Sequence, residues 1–139
     1  MPHLLIVDDE QSICWGLSKL ASQLGLSAAT AATAEEGLDL ARARRPDTIV
    51  LDVRLPGMDG LSAMQMFREA VGEVPIVVMT AYGDLDTAVQ AVRNGAFDYL
   101  TKPFDLSIAR RAIERALSSG PPPVPRDEAK VKEFPGGIV

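Results

Sequence analysis

The stretch "TIVLDVRLPGMDG", residues 48–60, decides how the chain folds. It opens on a β-prone apolar run with no polar alternation, and the run stops at a carboxylate, Asp52, ahead of a turn containing proline and glycine. Unbroken apolar runs suit strands covered on both faces, the condition inside a parallel sheet. Similar runs recur on either side: "LLIV" at 4–7, "SAAT" at 27–30, "PIVVM" at 75–79 and "FDYL" at 97–100, of which "SAAT" is the least apolar. Helical spacing fills the intervals. Ile13, Leu17, Leu20 and Leu24 space the first, "AEEGLDLARAR" the second, residues 61–70 the third, Ala88, Val89 and Val92 the fourth, and Ile108, Ala112, Ile113, Ala116 and Leu117 the fifth. Five strands alternating with five helices predict an α/β fold, a parallel sheet with helices on both faces.

Helix starts agree with this division. Asp9 or Gln11 leads into the first helix, Thr33 precedes "AEE" in the manner of a capping box, and Asp105 precedes the last. After Gly120 the character changes, because "PPPVPRDEAKVKEFPGGIV" is rich in proline and charge and has little apolar periodicity. The expected division is one domain over 1–119 and a linker or tail over 120–139.

Composition narrows the function classes. The 139 residues are 47% hydrophobic and 24% charged, the balance of a globular domain. The net charge is −5 and no long Lys/Arg run is present, so this segment is not expected to bind nucleic acid. Cys14 is the only cysteine, which excludes an internal disulfide or a cysteine zinc cluster and fits a cytoplasmic setting. The apolar run of "MPHLLIVDDE" is too short for a signal peptide or a membrane span. No GxGxxG or Walker lysine motif occurs, so dinucleotide and P-loop nucleotide binding lose support. Trp15 reads as helix surface or partial core, His3 as incidental and Cys14 as a small packed residue.

In an open parallel sheet, ligands bind beyond the carboxyl ends of the strands. The first strand runs into Asp8, Asp9 and Glu10, the third into Asp52, the fourth into Thr80 and Ala81, and the fifth into Thr101 and Lys102. Each has an ordinary reading alone: a strand-to-helix turn, a turn-initiating aspartate, a helix cap, a solvated loop lysine. Turn chemistry does not require all of them on one edge. Asp8, Asp9 and Asp52 together repel one another unless a cation compensates. A hard divalent ion with oxygen ligands suits them, and a few carboxylates plus waters favour Mg²⁺ over a closed calcium cage. With the Lys102 ammonium and the Thr80 hydroxyl added, the set can hold a phosphoryl group on an aspartate, for which Asp52 is the candidate nucleophile.

"LLIVDDE", "IVLDVRLPGMDGL" and "VPIVVMTAYGDLDTAVQAVRNGAFDYLTKPFD" together resemble the receiver domain of two-component response regulators, over about residues 3–118. The wording "MTAYGDLDTAVQA" and "GAFDYLTKPFD" is most similar to NtrC-like regulators that activate sigma-54 transcription. The resemblance implies a doubly wound CheY-like (flavodoxin-like) sheet of strand order 2-1-3-4-5, with Asp52 as phosphoacceptor. Asp8, Asp9, Asp52 and the backbone carbonyl of Arg54 would hold Mg²⁺. Thr80 would be the switch hydroxyl, Lys102 the phosphate-binding lysine, Tyr99 the aromatic that reports activation, and small Ala81 would leave room beside Thr80. It further implies a cis Lys102–Pro103 bond, and Arg54 and Tyr82 as variable flanking positions that tune phosphoryl lifetime. "FPGGIV" looks like the approach to an AAA+ ATPase domain, so DNA and sigma-factor contacts would belong to further domains.

The expected mechanism is a switch and not an enzyme, with only self-catalysed phosphotransfer and autodephosphorylation. A sensor histidine kinase supplies the phosphoryl group, and the fourth helix, with apolar Leu85, Ala88, Ala91 and Val92, is the expected output surface and a candidate for phosphorylation-dependent homodimerisation. Two rivals share some of the logic. A haloacid-dehalogenase-like phosphatase would place a second aspartate where Arg54 stands, and a flavodoxin-like FMN carrier would lack the acids after the first strand.

Overall fold

A computed structural model describes residues 2–55 and 57–119. The tail expected at 120–139 lies outside the described residues. The elements run β1 (His3–Val7), α1 (Gln11–Gln23), β2 (Ser27–Ala31), α2 (Ala34–Ala43), β3 (Thr48–Asp52), β4 (Arg54–Leu55), β5 (Met58–Asp59), α3 (Gly60–Val71), β6 (Ile76–Ala81), α4 (Leu85–Arg93), β7 (Asp98–Lys102) and α5 (Leu106–Ser119). Five strands form one sheet in the order β2-β1-β3-β6-β7, every pairing parallel. Counting those strands alone, the order is the expected 2-1-3-4-5. The short β4 and β5 pair antiparallel as a separate ribbon that the sequence reading did not separate from a turn.

Alternation along each strand explains why the runs are apolar throughout. Leu5 and Val7 of β1, Ile49 and Leu51 of β3, and Ile76 and Val78 of β6 enter one core with Leu38 of α2 and Met64 and Phe67 of α3. Leu4 and Ile6, Val50, and Val77 and Met79 enter a second core with Leu17 and Leu20 of α1 and Ala112 and Ile113 of α5. The sheet therefore separates two cores, and both faces of its central strands are spent on packing. "SAATA" of β2 alternates half-buried and exposed residues before its last position, as an edge strand does, which is why its sequence signal is weak.

Helix starts follow local chemistry. Thr33 Oγ1 accepts from Glu36 N at 3.1 Å, while Glu36 Oε1 reaches back to accept from Ala32 N at 2.9 Å. This is a capping box with its return bond displaced by one residue. The N-cap of α1 is Glu10, neither Asp9 nor Gln11, and its side chain makes no cap bond. Asp8 supplies a bond just ahead of the helix, its Oδ1 accepting from the amide of Glu10 itself at 2.8 Å.

Gly60, at the start of α3, has no room for a side chain: a Cβ there would lie 2.4 Å from Val53 Cα. Because the obstacle is backbone at the end of β3, rotamer changes cannot relieve it. Gly60→Ala is expected to lower stability by about 3 kcal/mol, read as a fall in the urea midpoint at unchanged slope.

The remaining single residues sort simply. Trp15 is exposed on α1 under the Lys19 ammonium. His3 lies inside β1, not ahead of it, and is buried, its Nδ1 2.8 Å from Ser27 Oγ. Burial, then the Arg44 charge, pulls its imidazole below the ordinary value. Cys14 is half-buried, its thiol donating to the Asp8 carbonyl oxygen at 3.3 Å, and burial followed by the Asp8 charge pushes it up, which keeps it a thiol.

Candidate functional site

Strand register builds the site. Val7 is level with Leu51, and Asp52 is level with Met79. Asp8, the residue after β1, therefore reaches the carboxyl edge beside Asp52. Thr80 is level with Thr101, and Lys102 with Ala81, one step further out. Thr80, Ala81, Thr101 and Lys102 are the last residues of their strands, because sheet hydrogen bonding continues past the apolar runs. Lys102 stands two residues after Leu100, which enters the same core as Val50, two residues before Asp52. Alternation thus puts lysine and aspartate on the same sheet face, and the long lysine stem spans the offset between their strands.

The ammonium of Lys102 meets three carboxylates. It lies 2.6 Å from Asp8 Oδ2, 2.7 Å from Glu10 Oε1 and 3.2 Å from Asp52 Oδ2. The Glu10 and Asp52 contacts are hydrogen bonds. The Asp8 contact is a close ion pair without hydrogen-bond alignment, which leaves a fully buried carboxylate oxygen with no donor. Asp52 Oδ1 accepts from Arg54 N at 3.0 Å. Desolvation pulls the Lys102 ammonium down, but the Asp8 and Glu10 carboxylates and the charge of Asp52 outweigh it and hold the group above the usual ammonium range. Desolvation also raises the Asp8 carboxyl, and Lys102 and the Glu10 amide offset part of that rise. The cluster is charged, compact and electrically tight.

One oxygen from each of Asp8, Asp9 and Asp52 falls within 4.8 Å of the others. Asp8 and Asp52 are buried while Asp9 is exposed. The undonated Asp8 oxygen and the hard carboxylate set fit a hard divalent cation. Lys102 and these acids are thus brought together as the sequence reading expected.

Thr80 and Tyr99 occupy the opposite sheet face from Lys102, one residue out of phase with it. Thr80 is buried and Tyr99 exposed, and both line a hollow of about 320 Å³ with Ala81, Leu85 and Ala88. Ala81 is exposed at its rim. In α4, Ala88 and Ala91 are buried whereas Leu85, Val89 and Val92 are exposed. The Lys102–Pro103 peptide is cis.

These features and the motif wording point one way, and a comparison decides it: residues 4–114 match the response regulator receiver domain. The chain belongs to that family. Among curated proteins, the receiver is 43% identical over 113 residues to the DNA-binding transcriptional regulator NtrC of Klebsiella pneumoniae, covering 81% of this chain and 24% of that protein. It is 40% identical over 115 residues to the regulatory protein AtoC of Escherichia coli K12, covering 83% of this chain and 25% of that protein. The chain thus spans about a quarter of the length of these relatives. Among solved structures, the receiver domain of NtrX from Brucella abortus superposes with a TM-score of 0.80 at 34% identity, covering 84% of this chain and 99% of that one. No helix among the described residues is long and apolar enough to cross a membrane.

Two contacts of the receiver were not foreseen. Glu10 sits at the lysine although 92 positions separate the two, its only sequence signal being a third acid after "DD". Arg54, expected only as a flanking position, pairs through Nη2 with Asp84 Oδ2 at 3.0 Å, and Asp84 Oδ1 accepts from Thr87 Oγ1 at 2.8 Å. Those two partners, Thr87 first, hold the Asp84 carboxyl below the ordinary carboxylate value. The ion pair joins the β4 ribbon to the residue that begins α4.

Proposed function

We propose that the chain is the phosphorylation-activated receiver of a two-component response regulator, with Asp52 as phosphoacceptor and a sensor histidine kinase as donor. The convergence of Asp8, Asp9, Asp52 and Lys102 at one strand edge carries this reading. In the reaction a carboxylate oxygen of Asp52 bonds to phosphorus as the donor's P–N bond breaks. The electron pair stays on the imidazole nitrogen, which takes up a proton. Hydrolysis later returns inorganic phosphate and the free carboxylate. The chain acts as a self-catalysed switch and not as an enzyme on other substrates.

Asp8, Asp9, Asp52 and the Arg54 carbonyl would hold Mg²⁺, which supplies charge neutralisation for the incoming phosphoryl oxygens. Lys102 provides a fixed positive charge, and Thr80 donates its hydroxyl to a phosphoryl oxygen with small Ala81 beside it. The hollow shared by Thr80 and Tyr99 offers the aromatic ring a place to turn as Thr80 moves, which would reposition α4. Moving a population from mostly inactive to mostly active takes roughly 5 kcal/mol. Two or three charge-assisted hydrogen bonds at about 1.5–3 kcal/mol each are of that order.

Incubation with acetyl phosphate and Mg²⁺, read by intact mass, tests the assignment. A persistent phosphoryl adduct is the expected result. Turnover of general phosphate esters with no adduct would indicate a phosphatase, and absence of both would remove the phosphoacceptor role.

The output is read through α4, whose exposed Leu85, Val89 and Val92 form an apolar strip with Tyr99 nearby on β7. Phosphorylation-dependent homodimerisation through this region predicts a larger sedimentation coefficient with beryllofluoride and Mg²⁺ than without; an unchanged profile counts against it. Residues 1–119 form the receiver unit and 120–139 a linker to output domains that would contact DNA and sigma-54 holoenzyme, all in the cytoplasm. Longer relatives carrying a DNA-binding name support that placement.

A further inference from the structure

The Lys102 ammonium donates to Glu10 and Asp52 and is ion-paired with Asp8. A phosphoryl group on Asp52 takes over the donor that Asp52 now holds and, with three oxygens and more negative charge than the carboxylate, draws the ammonium away from its other partners. The three contacts are not equal. The Asp8 side chain is 0% exposed, and stripping its counter-charge would leave a buried carboxylate unpaired. The Asp52 contact becomes the phosphoryl contact. Glu10 is different, because its side chain is 57% exposed and water replaces the lysine when it lets go.

Glu10 also lacks another task. It occupies the N-cap of α1 without a side-chain cap bond, and it is not one of the three acids that could share a cation. Its carboxylate nonetheless approaches Lys102 more closely than that of Asp52 does.

We infer that Glu10 is a positioning residue that holds the Lys102 ammonium before phosphorylation and competes with the phosphoryl group for it. The inference rests on the phosphoacceptor reading above. Glu10 aims the lysine into the acid cluster and, by the same contact, lowers the affinity of the site for a phosphoryl group. Removing it frees a donor without touching Asp52, Asp8 or Asp9.

The test is beryllofluoride titration of the full 139-residue chain at saturating Mg²⁺, followed by backbone amide NMR, for wild type, Glu10→Ala, Lys102→Ala and the double variant. Glu10→Ala is expected to bind beryllofluoride about three- to fivefold more tightly, the range for releasing one partly exposed ion pair. In the Lys102→Ala background the same substitution is expected to change nothing. Glu10→Asp, which keeps the charge but shortens the reach, is expected to fall between Glu10→Ala and wild type. Equal or weaker binding by Glu10→Ala overturns the inference. So does an equal gain in the Lys102→Ala background, which would mark a general charge effect, and so does wild-type affinity in Glu10→Asp. Binding by wild type with no change in Glu10→Ala removes only the role of Glu10, whereas no binding by wild type removes the phosphoacceptor reading itself.

Discussion

Asp52→Ala is expected to take up no phosphoryl group from acetyl phosphate and Mg²⁺ while remaining folded. Both parts follow from how the acids are held. Asp8 is shut off from an incoming donor, its side chain being 0% exposed against 9% for Asp52. Asp9 is exposed, whereas Asp52 is buried and held by Lys102 and Arg54 N. The variant loses one of three mutually repelling carboxylates and keeps Lys102 paired with Asp8 and Glu10, so its melting temperature should equal or exceed that of wild type. Intact mass and a thermal melt on the same sample check the two parts together. An adduct on the variant at wild-type level would place the acceptor elsewhere.

Lys102→Ala is expected to show the second large effect, on stability in the absence of divalent metal. Without the ammonium, the buried Asp8 carboxylate loses its one counter-charge and still faces Asp52. Removing one partner of a buried pair costs about 3–5 kcal/mol; the partial exposure of Lys102, 17%, places this case at about 3. The charge deficit is what a divalent cation would fill, so millimolar Mg²⁺ is expected to restore most of the loss by binding the folded state. Urea unfolding of wild type and variant, each with and without Mg²⁺, gives the four numbers required. A penalty that ignores Mg²⁺ would show that the lysine stem, and not its charge, supports the edge. With Mg²⁺ present, the variant should still accept some phosphate but lose the conformational response.

The sheet and the clustered acids were legible because each rests on short-range pattern, whereas the strand order came only with the family resemblance. Continuous apolar runs such as "TIVL" and "IVVM" mark strands buried on two faces, and their spacing by helical stretches leaves few ways to connect them. What sequence missed depends on reach and on single hydrogen bonds. The β4–β5 ribbon has two residues on each strand, too few for any periodicity. Thr80 and Lys102 fell just outside the expected strands because sheet bonding outlasts hydrophobicity at a polar edge. Glu10 and Asp84 look like ordinary helix-start acids in sequence, and only the fold shows that one meets Lys102 and the other Arg54. α4 falls between these cases: its apolar content was plain, but the division into buried Ala88 and Ala91 and exposed Leu85, Val89 and Val92 required the sheet to be in place.

The two cores divided by the sheet have a consequence for how such a chain changes over generations. Leu17 and Ile113 on one side and Met64 and Phe67 on the other share no packing partner within a common cluster. Substitutions far apart with no shared contacts add, whereas neighbours couple. Drift on the α1 and α5 side can therefore accumulate and be compensated locally, without asking the α2 and α3 side to follow. Only the residues at the strand ends, where both faces meet at the acid cluster, answer to both histories at once.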